Sequence, residues 1–120
     1  MTVTVYVPEL VNELTRIVVT TRNDNPSVEE YDAVVSPEWR RCQEALASVQ
    51  AGAAPTVALL RGVLTSVVTI LRVKHVPEPE IRERVDEAFA RSRQGGVVLD
   101  RTAIESGAWE AARRPSGGGR

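Results

Sequence analysis

Residues 55–75 dominate the folding problem of this chain. Leu59, Leu60, Val63, Leu64, Val67, Ile70 and Leu71 recur at steps of one, three and four, while Arg61, Thr65, Thr69 and Arg72 fall on the opposite stripe. That spacing predicts an α-helix with a broad apolar arc, and so wide an arc has to be covered by several neighbours. Its many Val residues lose rotamer freedom against the preceding helical turn, so tertiary packing must hold the helix. The segment is too interrupted by charge to span a bilayer. Arg61 and Arg72 leave only ten uncharged residues between them, and a span needs about 20 predominantly apolar ones. Residues 1–5 show neither the basic nor the apolar region of a secretory signal. The expected compartment is the cytoplasm, or the inside of a virion.

The remaining helices are expected to wrap this hub. Residues 9–21 carry Leu10, Val11, Leu14, Ile17 and Val18 at helical spacing, although the β-branched end of that run also suits a strand. Asn23 to Ser27 is turn chemistry. Ser36-Pro37-Glu38 reads as a helix start, with a capping hydroxyl, a proline in the first turn and an acid at the positive helix end. Trp39, Cys42, Leu46 and Val49 then form a narrow stripe that should stop near Gly52. Residues 77–80, Pro-Glu-Pro-Glu, form a break before a helix holding Ile81, Val85 and Phe89, closed by Gly95-Gly96. Thr102 and Glu105 match a capping box that would open a last helix containing Ile104, Ala108 and Trp109.

The ends differ in character. Residues 2–7 alternate, placing Val3, Val5 and Val7 on one face of a strand or extended arm, and residues 96–99 could pair with them. Residues 115–120, Pro-Ser-Gly-Gly-Gly-Arg, read as a flexible tail. The predicted fold class is therefore mainly α: a single domain over residues 1–114, with four to five helices around the central one and a short β pair. The alternative is an α+β domain in which residues 15–21 and 63–73 are strands.

Function is far less constrained. Cys42 and His75 are the only Cys and the only His, so a disulfide framework or a site of several Cys or His ligands is excluded. As a nucleophile and base they would need an open, electropositive setting, whereas Cys42 lies on an apolar stripe and His75 at a helix end. Acidic residues gather at Glu29, Glu30 and Asp32 and again from Glu78 to Glu87. The second group is interleaved with Arg, as on a solvated helix, and the first lacks the spacing of a calcium loop. No glycine cluster has the setting of a phosphate loop. No cofactor or metal is expected.

Arg61, Arg72, Lys74 and His75 suggest a basic stripe on the central helix, but a net charge of -1 disfavours nucleic acid as a partner. The charge is unevenly divided, with a balance of -4 over residues 1–60 and +3 over residues 61–120, which favours head-to-tail association. Fourteen of the fifteen basic residues are Arg, the usage of a GC-rich bacterium or its phage. The expected function is a non-enzymatic protein-interaction or assembly module that forms homo-oligomers. Val3, Val5, Val7, Leu60, Leu64, Arg61, Arg72 and Trp109 are the candidate interface residues. The competing readings are a small DNA-binding regulator and a small enzyme or ligand-binding protein using Arg61, Arg72, His75 or Cys42.

Overall fold

The central helix opens at Thr56. Its extended backbone places the hydroxyl to accept a hydrogen bond from the Leu59 N–H at 3.0 Å, a side-chain cap for one of the orphan donors of the first turn. The computed structural model describes residues 2–20, 28–52, 56–92 and 97–113, with side chains described over 6–20, 36–52, 56–92 and 98–112. The tail at 115–120 and the turn signals at 23–27 and 95–96 lie outside the described residues. In chain order the elements are β1 (Thr2–Val5), α1 (Val7–Thr20), α2 (Val28–Gln50), α3 (Val57–Val73), α4 (Glu78–Arg91), β2 (Val97–Asp100) and α5 (Arg101–Arg113). The fold is mainly helical, as expected, with α3 packed against α1, α2, α4 and α5.

The hub is closed by its own chain. Leu60, Leu64, Val67, Val68, Ile70 and Leu71 are fully buried, and the hydrophobic cluster they anchor draws on all five helices and on Leu99 of β2. Both segments that could have been strands are helical, 63–73 throughout and 15–20 in α1. Ile17 and Val18 reach the core, while the Thr15 and Thr20 hydroxyls donate back to the carbonyls of Asn12 and Arg16 at 2.9 and 3.0 Å. Burial and local hydrogen bonding outweigh the weak helix propensity of a β-branched run.

Three boundaries differ from expectation. The helix predicted to start at Ser36 already begins at Val28, with Pro37 inside it. Proline removes one backbone donor without forbidding helix on either side, so a cap signal marks where a helix can start rather than where it must. At α5 the cap is Asp100, whose Oδ1 accepts from the Ala103 N–H at 3.3 Å. Thr102 already lies inside the helix, and the Glu105 carboxylate accepts from Arg101. The first strand ends at Val5 because the Tyr6 carbonyl already accepts the first α1 bond, from Leu10 N–H at 3.0 Å. Val7 is therefore a buried first-turn residue of α1 and does not share a strand face with Val3 and Val5. The two strands pair antiparallel with Val3 opposite Leu99 and Thr4 opposite Val98.

Helix α3 ends on a left-handed residue that is not glycine. His75 has φ 63; its N–H bonds to the Arg72 carbonyl and the Val76 N–H to the Leu71 carbonyl, both at 3.0 Å, which is the Schellman arrangement. A residue with a Cβ is strained there by roughly 1 kcal/mol. His75→Gly is expected to stabilise the fold by about 0.5 kcal/mol once the added freedom of the unfolded chain is set against the relieved strain, and His75→Val to destabilise it by about 1 kcal/mol. Urea midpoints at unchanged m-value would measure both, and a less stable glycine variant would contradict the strain.

Candidate functional site

The basic residues of the central helix part company in three dimensions. The Arg72 guanidinium grips Glu78 at the start of α4, with Nε and one terminal nitrogen each 3.0 Å from a carboxylate oxygen. Arg61 is exposed and lies across α5, where its side chain fills the space a Cβ at Gly107 would need. Lys74 is buried, and its Nζ donates to the Val18 carbonyl at 2.5 Å, satisfying the end of α1. Burial lowers its pKa. His75 is exposed at the helix terminus. The four do not form a shared stripe, so neither a nucleic-acid footprint nor a convergent anion site is built from them. Helical spacing put them near one another in register; their contacts send them to α4, α5, α1 and solvent.

Trp109 is engaged by its own chain. It is 5% exposed, its indole N–H donates to Glu78 Oε1 at 3.0 Å, and the Arg82 guanidinium sits 4.2 Å from its ring centre. Glu78 thus joins the end of α3 to the middle of α5. The Arg72 hydrogen bonds hold its carboxyl below the usual carboxylate range, helped by the Trp109 N–H and the charges of Arg72 and Arg82, with burial opposing. Leu60, Leu64 and Val7 are sealed in the same way, inside the core. Like Trp109, they are buried within the chain, and the apolar arc is covered from within. The side chains of Val3 and Val5 lie outside the described residues, and so do those of Glu29, Glu30 and Asp32.

Cys42 is fully buried on α2. Burial pushes its thiol up to about 12, and the carboxylate of Glu38 adds to the effect. Glu38 itself is committed, accepting from Ser66 Oγ at 2.7 Å and from Arg41 at 3.1 Å. A neutral, enclosed thiol cannot act as a nucleophile. Among the described residues no three acidic, Cys or His side chains come together as a metal site, and no helix there is long and apolar enough to cross a membrane.

Two surface concavities were not legible from sequence spacing. Between α2 and α3 runs an apolar groove of about 280 Å³ lined by Ala45, Ala58, Leu59, Gly62 and Val63, with Arg41 at its edge. The small residues make the trough; a Cβ at Gly62 would meet nothing within 4 Å. Between α1 and α4 lies a charged cleft of about 130 Å³ lined by Glu13, Arg16, Ile17, Arg84, Glu87 and Arg91, among others. Glu13 at its floor is 8% exposed, with Arg91 at 3.5 Å and Arg16 at 4.0 Å.

Two measurements follow from these environments. Cys42 in the folded protein should resist alkylation at neutral pH and label fully in denaturant; rapid labelling without denaturant would contradict its enclosure. Because the folded pKa of Glu78 is lowered, its contribution to stability is present above the ordinary value of 4.5 and is lost as pH falls through the lowered one. Its side chain is 47% exposed, which holds the contribution below about 1 kcal/mol. Glu78→Gln should flatten the acid side of the stability profile by that amount, read from urea midpoints between neutral and acid pH.

Comparison with protein-family models, with curated proteins and with solved structures finds no match for this chain.

Proposed function

We propose that the protein is a non-enzymatic protein–protein interaction or assembly module that associates with copies of itself. The setting we favour is a structural subunit of a phage or bacterial complex, in the cytoplasm or the virion. The α2–α3 groove carries this reading. Its lining is almost wholly apolar, and it lies open beside the core. Water in such a trough is readily displaced by an apolar side chain, and contacts between protein surfaces draw on that exchange.

Copies of the chain bring suitable side chains with them. Tyr6, Val19 and Val98 are 52%, 68% and 64% exposed. An exposed apolar knob on one copy and a groove elsewhere on the next is the pattern of head-to-tail association. Of the residues that the competing readings would use, His75 stands exposed and the others are engaged or enclosed. Arg72 is held by Glu78, Cys42 is enclosed, and Arg61 lies on α5.

Light scattering of the size-exclusion eluate at micromolar concentrations tests the proposal. The expected mass is a multiple of the chain's own, falling toward the monomer on dilution. A strict monomer at every concentration would remove self-association.

A further inference from the structure

Helix α4 carries charge on both flanks of its buried stripe, and the two flanks are used differently. On one flank Arg82 stacks on Trp109 and Asp86 is bound by Arg101, so those charges are spent on α5. On the other flank stand Glu80, Arg84, Glu87 and Arg91, the last three at the rim of the cleft against α1. Glu80 and Arg84 pair with each other at 3.1 Å and are still 41% and 35% exposed. Arg91 is 61% exposed and pairs with Glu13 at 3.5 Å. Glu87 is exposed, with no ion-pair partner among the described residues.

The order of these charges matters more than their number. At about 100° per residue, the four positions from Glu80 to Arg91 fall within an arc of about 60° over three turns, so their side chains run as a stripe along one flank of the helix. Read along that stripe they are acid, base, acid, base. Turning such a stripe end for end exchanges every acid for a base. Two copies of α4 laid antiparallel therefore match throughout, whereas a parallel pair would set like charges opposite each other.

We infer that the acid–base stripe of α4 is a self-docking surface, on which a second copy of this chain pairs its own α4 antiparallel about a two-fold axis near Val85 and Asp86. Glu80 then faces Arg91 of the partner subunit, Arg84 faces Glu87 of the partner subunit, and the two-fold repeats both contacts. The inference rests on the self-association proposed above and names one surface for it. Exposed ion pairs contribute modestly and are screened beyond about 8 Å at physiological salt. The contact is accordingly salt-sensitive, and its charges select orientation more than they supply affinity.

The test is charge reversal read by sedimentation at low and at physiological salt, with circular dichroism confirming that each variant folds. Arg91→Glu is expected to weaken association by about tenfold or more, because both symmetry-related contacts become repulsive. Adding Glu80→Arg in the same chain restores complementary pairs and should restore association. Arg84→Glu with Glu87→Arg provides the same test at the centre of the stripe. Rescue by the double reversals supports the inference. A dimer indifferent to the single reversals, or not restored by the double ones, overturns the α4 surface and leaves self-association in place. A wild-type monomer at both salt concentrations overturns both.

Discussion

Everything in this fold follows from the need to cover α3. A helix with apolar residues over so broad an arc cannot face water on any of its packed sides, and removing such side chains from water is the main favourable term available to a domain of this size. Four helices share the task. Their placement explains several polar contacts as well, which fasten a covering helix to the hub or to its neighbour. Ser66 on α3 reaches Glu38 on α2, Lys74 satisfies the end of α1, and Arg72 holds the start of α4. Arg101 stacks 4.4 Å from the Phe89 ring centre and binds Asp86, clamping α5 to α4.

Closing the hub internally changes where function can reside. Among the described residues, buried side-chain polar atoms find partners, and leaving one unsatisfied would cost about 1–3 kcal/mol. The Glu78 junction is an economical instance. One carboxylate accepts from Arg72 and from Trp109, so three helices meet at a single side chain. Arg72, Lys74, Cys42 and Trp109, which looked available as isolated sequence positions, are held within the fold, while the surface carries an apolar trough and a charged cleft whose α4 wall is part of the charged stripe.

The sequence disclosed the helices better than their surroundings. Periodicity placed α1, α3 and α4 because a buried face leaves a repeating signature. It could not settle the start of α2, since Ser36-Pro37-Glu38 is compatible with a helix that starts there and with one that passes through. Nor could it assign the cap of α5, where Asp100 and Thr102 both offer a side-chain acceptor within two positions. That Leu60 and Leu64 are covered by their own chain was hidden for a different reason. Apolar arc width shows how much a helix must bury, and says nothing about which chain supplies the cover; Leu60 and Leu64 look the same in either case. The fates of Arg61 and Arg72 depended on Gly107 and Glu78, partners far enough along the chain that no local pattern links them.

The two surfaces proposed for association differ in the assemblies they can build. A two-fold contact through α4 uses the same patch on both copies and stops at two. An apolar knob seated in the α2–α3 groove uses different patches on each copy, so it continues until geometry closes a ring or leaves a filament. They lie on different helices and draw on different physics. The stripe is weakened by salt, while the groove depends on displaced water and is little affected by screening. In the proposed assembly the salt dependence of the final size therefore separates the contacts. High salt would strip away the two-fold pairing first and leave the head-to-tail contact standing.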